Sequence, residues 1–521
     1  MTHLEAIGAW VASGAAAPED VRRAARAQVI DMAAAVHASA RSGIARVVLD
    51  GIAALGSTGR ATSLANGERM GVVEAAMANA AMSMAHDYDD IVWMGHACHS
   101  AVFASLAVGE HVGSSVRDVI DAVVVANEVA GRLGASSMLG PLNGQMWTFI
   151  HLAGAAAAAA RLLHLDASRT THALAIALAQ PEFALQPGFM RPTSKLLAAA
   201  TPTAAGIRAA FYAQAGMTGA PEILEDARGF WRRFSYLPLP EMMGDLGDFW
   251  VLRTLAVKTY PGCHYFQTAL AALERILARR ADAHVDRVKR VRVGTTKLGC
   301  EVTRFASEYI EDGRPTPVSV NFDLAQSLAV MLAARTFGVE QLEEVWLDAH
   351  AAELRAWYRL VEVRHDPELT ARSIASMRRV KMGRAAIRRI RIRELPKLAR
   401  RYADDYRSRL ASPREIAGLA RALVRRTRTP RAARSTDGLA IALEFPNVVT
   451  IDFTDGSHET ERIDVPPGAL ASPGFTAALE EKAMNQMSSR LGPAGARAAI
   501  DLTWTANDEP ASTLAARISA D

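Results

Sequence analysis

The segment HLAGAAAAAARLL, residues 151–163, is apolar on nearly every side when drawn as a helix. A helix that is apolar all round is usually buried against other helices. Ala-rich segments with helical spacing recur throughout the first half of the chain, at 18–40, 70–90, 100–112, 115–134, 149–164, 169–180 and 200–215. This half is therefore predicted to be a bundle of closely packed helices.

The pattern changes after Pro261. RVKRVRVGTT, residues 287–296, alternates as a half-buried strand does. Residues 447–465 read as two strands joined by a turn at Thr454-Asp455-Gly456. Between the two strand regions, helices are predicted near 319–335 and 338–360.

These two patterns predict a protein that is mainly α with a smaller α+β domain. A chain of 521 residues is long for one core, so two domains are expected. The predicted limits are 1–262 for a large helical domain, 263–472 for a smaller lid domain, and 473–521 for helices that return to the first domain.

Residues 378–434 form an Arg-rich segment, an insertion in the lid domain that carries about twenty Lys and Arg. Such a run most often forms a solvated surface, and a helical hairpin projecting from the lid is predicted. The alternatives are a surface for an acidic partner or a guide for an anionic substrate. The pattern argues against nucleic-acid binding, because Tyr402 and Tyr406 are its only candidate stacking aromatics.

The composition is that of a globular protein, with 50% hydrophobic and 22% charged residues and a net charge of +4. Three cysteines are too few for a disulfide framework and fit a reducing compartment. The N-terminus lacks the pattern of a signal peptide. No apolar stretch reaches the roughly 20 residues of a membrane span. A cytoplasmic protein without membrane contact is expected.

AHDYDDIVWMGHACHS, residues 85–100, is the densest polar cluster in the helical half. Buried carboxylates are costly unless cations or donors pair with them, and an Asp beside a His suits a general base. The cluster contains Asp87, Asp89, Asp90, His96 and His99. The alternative interpretation, a helix cap with surface acids, fits the spacing equally well.

Two lysines, Lys195 and Lys258, lie among apolar and small neighbours. A lysine in such a setting needs an anionic partner or loses its proton, and two of them suit a polycarboxylate substrate. The alternative for each lysine alone is a side chain that extends to the solvent.

A metal site is the weaker interpretation of the remaining polar residues. Residues with zinc-ligand chemistry are present, namely His96, Cys98, His99, Cys263 and His264. Their spacing matches no structural zinc pattern. A Gly-rich phosphate loop, a GxSxG elbow and a dinucleotide fingerprint are also missing from the sequence. The sequence therefore predicts no metal and no cofactor.

In their order along the chain, several segments resemble the MmgE/PrpD family, which includes 2-methylcitrate dehydratase, cis-aconitate decarboxylase and iminodisuccinate epimerase. The similar segments are EAAMANAAMSMAHDYDD (74–90), HACHSAVFASLAVGE (96–110), GAAAAAARLLHLD (154–166), MTGAPEILEDARGF (217–230), KTYPGCH (258–264) and VNFDLAQSLAV (320–330). The resemblance implies a helical domain with an α+β lid, a homodimer, and an active site in the cleft between the domains.

The resemblance also implies site residues. Four family positions coincide with Asp87, His96, Lys195 and Lys258, and His264 follows the position of another family histidine, here Cys263. The residues assigned to substrate binding are Asp90, His99, Gln145, Cys263 and Gln326. Gln145 and Gln326 depart from the family, since they stand where a His and a Tyr are expected and glutamine transfers no proton.

The predicted function is that of a cofactor-independent lyase, dehydrating or decarboxylating, which acts on a small polycarboxylate. Lys195 and Lys258 would clamp the substrate carboxylates, His96 would be the general base or acid oriented by Asp87, and His264 would serve the opposite proton transfer. The alternatives are an epimerase or isomerase of a dicarboxylate, and a catalytically degenerate member that binds an acidic ligand.

Overall fold

The computed structural model describes residues 1–40, 42–93, 95–141, 148–310, 314–406 and 439–520. Within these residues most of the chain is helical. The helices are α1 (His3–Ala12), α2 (Glu19–Ser39), α3 (Gly43–Ala53), α4 (Val72–Met84), α5 (Cys98–Val112), α6 (Val116–Ser136), α7 (Phe149–Leu162), α8 (Ala167–Ala179), α9 (Gln186–Met190), α10 (Leu197–Gln214), α11 (Phe230–Phe234), α12 (Gln267–Arg279), α13 (Lys297–Ser307), α14 (Pro317–Phe322), α15 (Leu324–Ala334), α16 (Glu344–Ala349), α17 (Ala351–Leu360), α18 (Pro367–Met377), α19 (Lys381–Arg389), α20 (Leu395–Tyr406), α21 (Phe475–Thr505) and α22 (Ala511–Ile518).

The Ala-rich helix α7 lies at the centre of the helical bundle, packed against α5, α6, α8 and α10. Its alanines from Ala155 to Ala160 are fully buried. Small residues permit this close packing: a side chain at Gly206 of α10 would meet the backbone oxygen of Leu152 and lie 2.8 Å from Ala155 Cβ. Helices follow the predicted segments of the first half, which confirms its predicted character.

We expect Gly206→Ala to lower the free energy of unfolding by about 1–3 kcal/mol, because the added methyl overpacks the α7–α10 contact. Gly51→Ala is the matched control, since Gly51 is exposed in α3 and a Cβ added there would have no atom within 4 Å. That change should stabilise the protein by up to about 1 kcal/mol. Equilibrium urea unfolding of both variants measures the difference; equal effects would contradict the close packing.

A four-stranded sheet forms the core of the second part of the chain, in the order β6-β5-β7-β8. The strands of this sheet are β5 (Val288–Thr295), β6 (Val361–His365), β7 (Asn447–Phe453) and β8 (His458–Ile463), and they follow the short strands β1 (Ala61–Thr62), β2 (Arg69–Met70), β3 (Asp90–Ile91) and β4 (Ala256–Val257) of the first half. β5 pairs in parallel with β6 and antiparallel with β7, which pairs antiparallel with β8. The predicted strand and hairpin are confirmed, as is a fold that is mainly α with a smaller α+β part. The parallel edge strand β6 was not predicted.

The long helix α21 returns to the helical bundle and packs along α2. It is interrupted at Gly492, whose backbone is not helical, and the next residue is a proline. Lys482 of α21 joins the two helices through an ion pair of 2.7 Å with the buried Asp31. The predicted domain limits remain a prediction, but this contact agrees with helices 473–521 returning to the first domain.

The described part of the Arg-rich segment packs against the helical bundle. α19 contacts residues 240–243, and Val380 and Met382 are buried there. Arg389 forms an ion pair of 2.8 Å with Glu241. Helix α19 thus does not project from the lid as predicted, because Val380 and Met382 are buried in its contact with the bundle. Residues 407–434 lie outside the described residues.

Across the described ranges of the chain, no helix is both long enough and apolar enough to cross a membrane.

Candidate active site

The polar cluster of residues 85–100 forms a buried turn between α4 and α5. Two further short strands hold it: β3 (Asp90–Ile91) pairs antiparallel with β4 (Ala256–Val257). The backbone N–H of Lys258 then donates to the carbonyl of Asp89 at 3.1 Å. Asp87 adopts a left-handed backbone with φ of 49°, which turns the chain sharply after α4. This pairing brings Lys258 beside Asp87 and Asp89 although about 170 residues separate them in sequence.

The first of two buried ion pairs joins Lys195 to Asp87. Lys195 Nζ lies 2.6 Å from Asp87 Oδ2 and 4.7 Å from the centre of the Phe322 ring. The lysine is 1% exposed. Burial lowers the pKa of Lys195, and the Asp87 carboxylate opposes that shift. The other carboxylate oxygen of Asp87 is buried and has no hydrogen-bond partner among the described residues.

The second ion pair has Asp89 at its centre. Lys258 donates to Asp89 Oδ1, and to the carbonyl of Asp87 at 2.7 Å. Asp89 Oδ2 lies 2.6 Å from His96 Nδ1 and 3.2 Å from His99 Nε2. Burial alone would raise the pKa of Asp89, but Lys258 and His96 outweigh it and hold the pKa well below its ordinary value. The same pair raises the pKa of Lys258 against the effect of burial.

Asp89 therefore orients His96. The sequence predicted Asp87 for this role, but the Asp87 carboxylate pairs with Lys195 instead. His96 Nδ1–H donates to Asp89 Oδ2 and lies 2.8 Å from the carbonyl of Asp90. This arrangement leaves the lone pair of the neutral ring on Nε2, as a general base requires. Burial lowers the pKa of His96, with Asp89 opposing, and this shift favours the neutral ring.

The Asp90 side chain turns away from the two lysines. Its Oδ1 accepts a hydrogen bond of 3.0 Å from Gln28 Nε2, within a buried network that includes Asn127. Burial raises the pKa of Asp90 well above its ordinary value, and nearby Asp31 adds to the shift. Asp90 thus stabilises the turn through its hydrogen bond with Gln28, away from the two lysines. This position does not fit the substrate-binding role predicted for Asp90.

His264 and Cys263 lie on the lid side of the two lysines. His264 is buried against Phe445, with ring centres 4.9 Å apart. Neither ring nitrogen has a hydrogen-bond partner within the described part of the chain. Its pKa lies well below the ordinary value, because of burial and then of the charges on His96 and Lys258. Burial also raises the pKa of the Cys263 thiol to about 12.

Gln326 is not placed beside the lysines. Gln326 Oε1 accepts a hydrogen bond of 2.9 Å from Ser319 and lies near Tyr358, in the lid. Phe322, one turn earlier, is the residue that contacts Lys195. Gln145 lies outside the described residues. The candidate roles of both glutamines in substrate binding stay predictions.

Asn321 is a polar residue of the site that the sequence interpretation missed. Its side-chain oxygen and nitrogen are both buried and have no hydrogen-bond partner among the described residues. Its carbonyl accepts from Cys263 N–H at 2.9 Å, and Gly262 packs closely against it with φ of 98°. The available signal was a lone amide inside the apolar run VSVNF. Such an unsatisfied amide is suited to bind a polar ligand.

A cavity of about 230 Å³ reaches Lys195 from the helical bundle. Its other lining residues are Thr148, Glu182, Phe183, Ala184, Leu185, Gly188, Ser194, Leu197, Ala198 and Thr201. The cavity thus reaches the first of two buried ammonium groups, and the second shares Asp89 with the His96 imidazole. Such a set can bind carboxylates, accept a proton and stabilise the negative charge that develops on a neighbouring group.

Three ligand atoms near His96 also form a group that can hold a metal ion. The side chains of Asp89, Cys98 and His99 are buried, and their ligand atoms lie within 4.8 Å of one another. No other such group occurs in the ranges that the structure describes. Cys98 was named among possible zinc ligands on sequence grounds, but Asp89 was not.

Comparison with known proteins identifies the family. The model of the MmgE/PrpD N-terminal domain matches residues 5–241, the range that contains Asp87, Asp89, His96 and Lys195. No curated protein matches the chain significantly. The resemblance predicted from the segments of the sequence is thereby confirmed. Residues 5–241 of the chain thus form an MmgE/PrpD N-terminal domain, and the family of that domain generally contains dehydratases and related enzymes.

Proposed function

We propose that the protein is a cofactor-independent lyase that dehydrates or decarboxylates a small polycarboxylate by proton transfer at the carbon next to a carboxylate. The observation that carries the proposal is the pair of buried lysines, each held by an aspartate, with His96 bound to the aspartate that holds Lys258. We also propose a homodimer in the cytoplasm, from the resemblance to the family and from three cysteines that form no disulfide.

Substrate carboxylates are the natural ligands of Lys195 and Lys258. Their aspartate partners favour the charged form of both ammonium groups against the effect of burial. When a proton leaves the α-carbon, negative charge develops on the adjacent carboxylate. Two preorganised cations in a buried site stabilise that charge more than they stabilise the substrate.

His96 Nε2 takes the α-proton in this mechanism, and the Asp89 carboxylate stabilises the imidazolium that forms. In a dehydration, the imidazolium returns the proton to the departing hydroxyl group, so that water leaves and the histidine is restored. His264 remains the candidate for a second proton transfer. Burial lowers its pKa well below the ordinary histidine value, which favours the neutral ring.

Binding of an unreactive polycarboxylate tests the clamps without knowledge of the substrate. Propane-1,2,3-tricarboxylate has three carboxylates and no hydroxyl group to lose. We expect calorimetry to show binding that Lys195→Met weakens by about 10–100-fold, the value of a charged hydrogen bond. The exposed Lys289→Met is the matched control and should bind as the wild type does. Equal affinity in a folded Lys195→Met variant would refute the role of Lys195.

The pH dependence of kcat/KM tests the base. We expect activity to fall as the pH drops, with a midpoint below the ordinary histidine value of about 6.5, because His96 must be neutral. On the alkaline side we expect activity to fall as Lys195 loses its proton. The midpoint of this fall should lie below the ordinary lysine pKa of about 10.4. An acidic midpoint above pH 7 would contradict the assignment of His96.

A further inference from the structure

The buried group of Asp89, Cys98 and His99 has distances that suit a small metal ion. Asp89 Oδ2 lies 3.2 Å from His99 Nε2 and 3.8 Å from Cys98 Sγ. Tetrahedral coordination with bonds of about 2.0–2.3 Å places neighbouring ligand atoms about 3.3–3.8 Å apart. The ligand atoms of Cys98 and His99 lie at most 4.8 Å apart. Coordination of one ion requires this distance to shorten by at most about 1.5 Å.

His99 Nε2 supplies an independent indication of a ligand. The atom is completely buried and, despite its nearness to Asp89, makes no hydrogen bond of acceptable geometry. On the other side of the ring, Nδ1 lies 2.7 Å from Ser83 Oγ, whose only proton can go to the Ala80 carbonyl at 2.9 Å. With Ser83 accepting from Nδ1–H, the lone pair of Nε2 faces Asp89, and a cation between the two would bind both. In the other tautomer, Ser83 donates to Nδ1 and Nε2–H points at the Asp89 carboxylate.

We propose that Asp89, Cys98 and His99 form a binding site for a thiophilic divalent cation of the zinc class, and that the bound ion inhibits the enzyme. Ser83 would act as the outer partner that fixes the tautomer of His99, as is usual for metal-ligating histidines. Carboxylate, imidazole and thiolate together favour zinc over magnesium or calcium.

Binding requires the Cys98 thiol to lose its proton to the solvent. Burial and the nearby Asp90 and Asp89 hold the pKa of Cys98 well above its ordinary value, so the free protein keeps the thiol protonated. The divalent cation offsets the charge of the new thiolate.

Inhibition follows from the position of Asp89, which orients His96 and pairs with Lys258. An ion that takes Asp89 Oδ2 displaces the hydrogen bond from His96 Nδ1. This consequence rests on the proposed function, but binding of the ion does not. The two are tested separately, by spectroscopy of the free protein and by assay.

Cobalt(II) is the probe, because its bond to a thiolate gives a charge-transfer band in the near ultraviolet. We expect one equivalent of Co²⁺ to bind the full-length, metal-free protein with this band, and one equivalent of Zn²⁺ to displace it. Cys98→Ser should abolish the band, whereas Cys263→Ser and Cys300→Ser, which change the other two cysteines, should retain it. Circular dichroism confirms that each variant is folded.

No thiolate band in the wild type, or a band that persists in Cys98→Ser, would overturn the site. Inhibition is judged with an identified substrate. Zn²⁺ should lower the turnover of the wild type at least tenfold and leave Cys98→Ser unaffected. If the ion binds without loss of turnover, the metal site stands and its inhibitory role is refuted. If the metal-free protein shows no turnover, the result counts against the proposed lyase alone.

Discussion

Lys258→Met is expected to lower the free energy of unfolding by about 3–5 kcal/mol, because it leaves the Asp89 charge buried without its main partner. Both side chains of this pair are 0% exposed. Asp89 would keep its contacts with His96 and His99, but these rings carry a full charge only when protonated. Equilibrium urea unfolding, extrapolated to water, measures the loss.

The double variant Lys258→Met/Asp89→Asn separates a lost charge balance from lost packing. Removing both charges should recover part of the stability, since the penalty of an uncompensated buried ion disappears. The exposed Lys289→Met should change the free energy of unfolding by less than about 0.5 kcal/mol. If Lys258→Met lowered the free energy of unfolding no more than Lys289→Met does, the ion pair between Lys258 and Asp89 would not stabilise the protein.

His96→Asn is expected to lower kcat by about 10²–10⁴-fold, the usual contribution of a positioned acid or base. The asparagine amide can still donate to Asp89 from near the position of Nδ1, but it has no basic nitrogen at the position of Nε2. Turnover is measured with the identified substrate, beside the exposed His111→Asn as the matched control. Near-normal turnover in His96→Asn would remove His96 from the mechanism.

Much of the fold could be predicted because local pattern and tertiary packing agree. The run from Ala155 to Ala160 is typical of a buried helix, and these alanines are buried. In β5, buried and more exposed side chains alternate, with Val291 and Val293 buried. β6 was missed because VEVRH is short and partly exposed along its whole length. A parallel edge strand of this kind depends on its neighbour, so its own sequence gives a weak signal.

For the candidate site, the residue types were more predictable than their pairing. The turn of residues 85–100 and the lysines stood out as polar groups in apolar surroundings. Which aspartate meets which lysine depends on the β3–β4 pairing and on the left-handed backbone of Asp87, and both are set by tertiary structure. The same holds for Asn321, whose importance follows only from its unsatisfied buried amide.

The most direct test is a mass-spectrometric screen of the purified, metal-free protein with citrate, 2-methylcitrate, cis-aconitate and related polycarboxylates. We predict that one of them loses water or carbon dioxide, and that Lys195→Ala abolishes the loss. A product of unchanged mass but altered stereochemistry would indicate an epimerase instead. Binding of polycarboxylates without any conversion across the panel would contradict the lyase and favour a member of the family that only binds its ligand.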